Sequence, residues 1–169
     1  MGRMMPDFAP PHPISATVDI SQFDCGVPEL NLWLSQRALG NEALGASRTF
    51  VTARENCVVG YYALTVGSIT HVQAPGKIRR NMPDPIPAAI LGRLATDLSA
   101  RNIGLGSALL VDAIRRTVLA SETLGIRAML IHALSEEAGD FYERYHFIRS
   151  PADDMMLMAT MTDLRKAIS

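Results

Sequence analysis

The sequence predicts a mixed α/β (α+β) architecture, a central mixed β-sheet flanked by helices, and three observations carry that expectation. The apolar run Ala88 to Ala95, bounded by prolines on one side and polar residues on the other, reads as a buried strand. Further on, Leu110, Ala113, Ile114 and Val118 fall at the i, i+3, i+4, i+8 spacing of one helix face, with Leu109 beside them. Strand-like and helix-like stretches alternate along the rest of the chain without an internal repeat or a dividing linker, as one layered α/β structure requires.

Composition narrows the class. With 169 residues the chain fits one domain with a sizeable core, and 48% apolar residues exclude disorder. No apolar run is long enough to cross a bilayer. Met1 to Pro13 lacks the apolar stretch of a secretory signal, and two cysteines make neither a metal-ligand spacing nor a disulfide scaffold. A reducing cytoplasm is the expected compartment. A net charge of −1 gives no global nucleic-acid signature, so RNA binding would have to use a local patch.

Taken in order, residues 1–13 carry four prolines and read as a flexible N-terminal arm, leaving residues 14–169 as one folded domain. Ile14 to Ile20 is a candidate first strand. Pro28 suits the first turn of a helix whose Leu30, Trp33, Leu34 and Leu39 share a side, with Gly40 ending or bending it. Arg48 to Ala53 and Val58 to Gly67 read as successive strands about the turn Arg54-Glu55-Asn56; the second is too uniformly apolar for a solvent-facing edge. Ile69 to Pro87, rich in proline and carrying Lys77, Arg79 and Arg80, is the least regular segment. Arg127 to Ala133 is another buried strand. Ser135 caps a helix running to Tyr145 or His146, with Glu136 and Glu137 favourably placed in its first turn. A short strand from Phe147, a last strand Met155 to Ala159 and a terminal helix from Thr162-Asp163 complete the chain.

Between the strand ending at Thr96 and the helix expected after Gly106 lies Arg101-Asn102-Ile103-Gly104-Leu105-Gly106, with no acid within it. Free N–H groups at a helix start, aided by the helix dipole, attract an anion such as pyrophosphate, and glycine lets a phosphate approach the backbone. The dinucleotide fingerprint needs a third glycine where this chain has Leu109. On spacing alone, a ligand-binding loop and a tight turn without a ligand both remain open.

Arg101-x-x-Gly104-x-Gly106 resembles the Gln/Arg-x-x-Gly-x-Gly/Ala signature of GNAT-family N-acetyltransferases. With Pro85-x-Pro87, Leu91-Gly92-Arg93-Leu94-Ala95 and Phe141-Tyr142-Glu143-Arg144, it is similar to the GNAT toxins of type II toxin–antitoxin systems, from about Phe23 to Leu164. The resemblance implies a GNAT fold with acetyl-CoA held by Leu94, Ala95, Thr96, Arg101, Asn102, Ile103, Gly104, Leu105, Gly106 and Ser107. It also implies acetylation of the α-amino group of aminoacyl-tRNA, a block of translation, a homodimer and a ribbon-helix-helix antitoxin that provides any link to DNA. No metal and no membrane are expected. An enzyme acting on a small amine or a protein amino group is the alternative. A non-catalytic acyl-CoA-binding regulator is a third reading.

Acetyl transfer to an amine needs a donor for the developing oxyanion and a proton or hydrogen bond for the departing thiolate. A phenol, protonated at neutral pH, suits the second task, and the resemblance assigns it to Tyr142. Tyr145 reads as packing. His146 stands where relatives usually carry glycine, a residue that enters the left-handed helix cap less easily. His132 reads as a buried, hydrogen-bonded histidine. Lys77, Arg79, Arg80 and Arg93 are candidates to hold tRNA phosphates, against the plainer reading of a solvated basic loop balanced by Asp84 and Asp97.

Overall fold

In the computed structural model, which describes residues 8–169, seven strands form one sheet in the order β1-β2-β3-β4-β5-β7-β6. They are β1 (His12–Pro13), β2 (Arg48–Arg54), β3 (Cys57–Ile69), β4 (Ile86–Thr96), β5 (Ala128–His132), β6 (Ile148–Arg149) and β7 (Met156–Thr160). Six helices accompany them: α1 (Pro28–Gln36), α2 (Ala38–Leu44), α3 (Gly76–Arg79), α4 (Leu105–Ala120), α5 (Glu136–Glu143) and α6 (Met161–Ile168). β4 and β5 run parallel, Ala88 opposite Ala128 and Leu91 opposite Ile131, while β5 and β7 are antiparallel. The mixed sheet with flanking helices is the architecture expected from the sequence.

Two compact units make up the chain. The first comprises residues up to Leu64 together with Arg93–Asp112, and the second comprises Thr65–Gly92 with Ala113–Ser169. In the first, Phe23, Leu34, Ala38, Val51, Tyr61 and Ala95 bury one apolar cluster. In the second, Ile69, Ile78, Ile86, Ala128, Leu130 and Met158 bury another. Both are close-packed apolar cores of the kind that dominate folding energy.

Several local expectations change in the folded chain. Residues 1–7 of the expected arm lie outside the described residues. Its last residues are tied to the sheet: His12 and Pro13 pair with Val51 and Phe50, and the Ala9 N–H donates to the Ala53 carbonyl at 2.8 Å. Ile14 to Ile20 forms no strand. The Ser15 and Thr17 hydroxyls bond one another at 2.8 Å and turn the backbone, leaving only an isolated bridge from Asp19 to Cys57. The break in the first helical region falls at Arg37 (φ −122°) rather than Gly40, so that Leu34 and Ala38 both enter the core. Gly45, at φ +75°, provides the left-handed cap.

Glu55 and Asn56 both take positive φ, 51° and 67°, which gives the β2–β3 hairpin the tight two-residue turn that strand twist favours. The first half of β3 is buried as expected, but Val66 beyond it is 70% exposed. His132 is exposed, not buried: period-2 alternation places it on the same face as Leu130, but it is the last residue of β5, where the strand's burial ends.

Ser135 caps α5, its hydroxyl accepting from the Ala138 N–H at 3.1 Å. The helix ends at Glu143, and the chain leaves through His146 at φ +72°. Histidine therefore fills the left-handed position that glycine fills without penalty. Replacing His146, which is exposed, by glycine should raise stability by roughly 0.5–1 kcal/mol. Urea unfolding would register this as a higher midpoint at unchanged slope; an equal or lower midpoint would contradict it.

Candidate active site

The corner between β4 and α4 is built around Asp97. One carboxylate oxygen accepts the Asp24 N–H at 2.8 Å, and the other accepts the Ser99 N–H at 2.9 Å and the Ser99 hydroxyl at 2.6 Å. Burial opposes the charge. The hydrogen bonds from Ser99 and Asp24, with the Arg54 charge, outweigh it and hold the carboxyl below the usual range. Asp97 is thereby engaged at the corner and is no counterion for the basic loop. The Arg101 guanidinium donates to the Cys25 carbonyl at 2.5 Å, fixing the next residue of the turn.

Beyond Arg101 the backbone is left-handed at Asn102 (φ +60°) and at Gly104 (φ +82°). α4 starts at Leu105, two residues earlier than expected, so Gly106 lies inside its first turn and Gly104 is the residue that needs glycine's freedom. Nothing lies within 4 Å of the place a Gly104 Cβ would occupy. The first helical bond runs from the Ala108 N–H to the Gly104 carbonyl at 3.0 Å. The N–H groups of Leu105, Gly106 and Ser107 have no partner among the described residues, and the first turn carries no acid. An open, uncapped helix start behind a bare glycine is an anion site in form. Leu94, Ala95 and Thr96 close β4 just before this corner, with Ala95 buried and the other two half-buried.

Tyr142 lies on α5, buried among aromatic rings. Phe141 packs edge-on at 5.2 Å and Phe147 at 6.2 Å. No hydrogen bond to its hydroxyl is found among the described residues. Burial pushes its pKa up to about 12, so the phenol stays protonated at neutral pH. Tyr145 is half-buried against Phe141 at 5.5 Å, as a packing residue.

The four candidate tRNA-binding residues separate by environment. Arg93 lies over the Trp33 ring at 4.4 Å, and Trp33 stacks in turn on Tyr61, the planes within 6°. The cation–π contact uses the guanidinium face and leaves its N–H edges free to donate. In the second unit, Lys77 pairs with Asp163 at 2.5 Å. Arg79 reaches the His71 carbonyl at 3.4 Å, while the Arg80 guanidinium makes no hydrogen bond or ion pair among the described residues. Asp84 accepts the His71 N–H instead of balancing the loop. Lys77 and Arg80 share an open cavity of about 610 Å³ with Arg127, Thr160, Asp163 and Lys166. Arg127 anchors α3 there, donating to the Ile78 and Lys77 carbonyls at 3.1 and 3.0 Å. Neither Arg127, read from sequence only as the start of a strand, nor Lys166 was a sequence-predicted site residue. The cation just before an apolar strand was the available signal for Arg127, and Lys166 carried none.

A search of protein-family models finds no match. Among individual proteins the likeness is close: the chain is 48% identical over 164 residues to a tRNA-acetylating toxin of Mycobacterium tuberculosis, covering 97% of this chain and 99% of that protein. A probable toxin TacT of Sinorhizobium fredii is 25% identical, covering 87% of each. Among solved structures, AtaT complexed with acetyl-methionyl-tRNAfMet superposes with a TM-score of 0.87 at 27% identity, covering 96% of this chain and all of that one. AtaTR bound with acetyl-CoA gives 0.82 at 28% identity, covering 98% of this chain and all of that one. The fold is thus the GNAT-type acetyltransferase fold. Within that class, the chain belongs to the family of tRNA-acetylating toxins.

The Lys77–Asp163 pair has a pH signature. The hydrogen bond from Lys77 draws the buried Asp163 carboxyl below its ordinary 3.8, and burial opposes this. A lowered folded-state pKa contributes stability that is complete above the unfolded value and is lost as pH falls through the folded one. Asp163→Asn should therefore unfold more easily than wild type at pH 7, and the two urea midpoints should converge as pH falls below 3.8. A constant gap down to pH 2 would contradict the pairing.

Proposed function

We propose that this protein is the toxin of a type II toxin–antitoxin pair, an N-acetyltransferase that moves acetyl from acetyl-CoA to the α-amino group of aminoacyl-tRNA and so blocks translation. The observation that carries this reading is the full-length likeness to the Mycobacterium tuberculosis tRNA-acetylating toxin. The AtaT complexes with acetylated tRNA and with acetyl-CoA support both substrates. Complexes of AtaT with the C-terminus of the antitoxin AtaR support an antitoxin partner. The proposal extends to a ribbon-helix-helix antitoxin, a homodimer and a cytoplasmic setting. Among the described residues no helix is long and apolar enough to cross a membrane.

The residues fit acetyl-CoA at its most charged part. The open N–H groups of Leu105, Gly106 and Ser107 and the bare backbone at Gly104 receive the pyrophosphate, with the helix dipole adding to the attraction. Asn102 and Ile103 form the exposed turn leading to them. The last residues of β4, Leu94 to Thr96, present backbone groups to the pantetheine arm. One backbone N–H meets the negative charge that develops on the thioester carbonyl oxygen. Tyr142 supplies the proton to the departing thiolate. The phenol is protonated at neutral pH, so it meets the sulfur as a hydrogen-bond donor. Arg79, Arg80 and Arg93 attract the tRNA backbone, Arg93 through the guanidinium edge left free by Trp33. Lys77 contributes least of the four, since its charge is already paired with Asp163.

Tyr142→Phe keeps the ring and removes the donor. It should lower kcat by about 10²–10⁴-fold with little change in acetyl-CoA affinity or thermal stability, and should abolish growth arrest. Tyr145→Phe should stay active and toxic. Full activity in Tyr142→Phe would refute the acid role.

Arg80→Ala and Arg93→Ala should weaken use of aminoacyl-tRNA and flatten its salt dependence while leaving acetyl-CoA binding intact. Measured rates that ignore salt, or that are equal on free amino acids, would favour a small-amine acetyltransferase. Gly106→Val should abolish acetyl-CoA binding in a folded protein, through the space its side chain takes at the helix start. Undiminished calorimetric affinity would overturn the placement of the pyrophosphate.

A further inference from the structure

α5 carries an oddity that its capping and apolar contacts do not explain. Gly139 sits in the interior of this eight-residue helix, where glycine is the least favourable residue after proline. A Cβ built at Gly139 would lie 2.5 Å from Nη2 of Arg149 and 3.0 Å from its Cζ. The guanidinium rests against bare helix backbone.

Around that contact the whole guanidinium is engaged. Glu136, Asp140 and Glu143 stand at i, i+4 and i+7, one face of α5 about 10 Å long. Nη1 lies 3.4 Å from Glu136 Oε1, Nη2 lies 3.2 Å from Asp140 Oδ1, and Nε lies 3.1 Å from Glu143 Oε2. Nη1 also donates to the Asp154 carbonyl at 2.8 Å. The Arg149 side chain is only 19% exposed, although its three carboxylate partners are far more open. Arg149 is itself fixed in the sheet, opposite Leu157 in the β6–β7 pair. One cation thus spans the length of the helix from a rigid base.

Tyr142 occupies the next face of the same helix. Its ring contacts are apolar and no polar partner among the described residues orients its hydroxyl. The direction of that hydroxyl is therefore set by how α5 is rolled about its axis.

We propose that Arg149 is a positioning residue for acetyl transfer: by gripping the acidic face of α5 across Gly139, it sets the roll of the helix and the place of the Tyr142 hydroxyl. The proposal rests on the acid role given to Tyr142. Exposed ion pairs contribute little to stability one at a time, so the grip acts on geometry more than on folding. Three pairs on one rigid, forked group define an angle that a single pair cannot. Glycine at 139 is the condition for it, since any side chain there would displace the fork.

A double-mutant cycle on purified protein separates positioning from mere support. Arg149→Met, which keeps much of the side chain's bulk, should lower kcat on aminoacyl-tRNA by about 10–100-fold, the scale of a small misplacement of a reacting group. KM for acetyl-CoA should stay within about twofold, as expected for a loss confined to the transition state. In a Tyr142→Phe background the same change should cost nothing further, because the hydroxyl it positions is gone. Gly139→Ala provides a second route that raises helix propensity while pushing the fork away. It should reproduce the kcat loss with an equal or higher thermal midpoint.

Wild-type rates in Arg149→Met or in Gly139→Ala would overturn the proposal, as would equal losses from Arg149→Met in the two backgrounds. If Tyr142→Phe alone kept full activity, the acid reading would fail first, and the positioning role with it. A slow Tyr142→Phe beside a fast Arg149→Met would sink the positioning role alone.

Discussion

Asp97 is the interaction on which the β4–α4 corner depends. Its two oxygens are taken by Asp24 and Ser99, and its own N–H reaches the Val59 carbonyl at 2.8 Å. The carboxylate therefore terminates one strand, closes a single 3-10 turn over Leu98–Ala100 and fixes a distant loop. It is also spent there. Had this acid, or another, lain at the start of α4, it would have filled the positive helix end that an anion needs. The engagement of Asp97 elsewhere in the corner leaves that helix start open.

The same economy of partners runs through the basic residues. From sequence, Lys77 and Arg93 read as candidate phosphate binders, and the resemblance gives Arg101 to the acetyl-CoA loop. In the fold Arg101 holds the Cys25 carbonyl, Lys77 holds Asp163, Arg93 lies on Trp33 and Arg149 grips α5. Each is half structural before any substrate arrives. Arginine retains donors after such a contact because its fork has several N–H groups, whereas an engaged lysine has given up most of its point charge. Of the four candidate phosphate binders, the arginines are for that reason the better contacts.

The elements legible in the sequence were those with a strong local rule. The apolar run of β4, the helical face of α4, Pro28 at a helix start and Ser135 as a cap each follow from one residue type at one spacing. The motif around Arg101 and Gly104 was legible in the same way. What stayed hidden depends on residues far apart in the chain. The bend at Arg37 instead of Gly40 is set by burial of Leu34 and Ala38 in a shared core. The pairing of Lys77 with Asp163 joins residues 86 positions apart. Gly139 carries no signal in the sequence, and only the guanidinium lying across it gives it a reason. His146 shows a further limit: the left-handed cap forms there although the sequence lacks the glycine that would announce it.

The identity of the acetylated group separates an aminoacyl-tRNA acetyltransferase from its alternatives. The most direct measurement supplies the protein with acetyl-labelled acetyl-CoA and a pool of charged tRNA, strips the products by mild alkali, and identifies the labelled species by mass spectrometry. An aminoacyl-tRNA acetyltransferase yields labelled N-acetylated amino acids released from an ester to tRNA, and no label when the tRNA is deacylated beforehand. Label on free amines or on protein in place of tRNA-borne amino acids would contradict it.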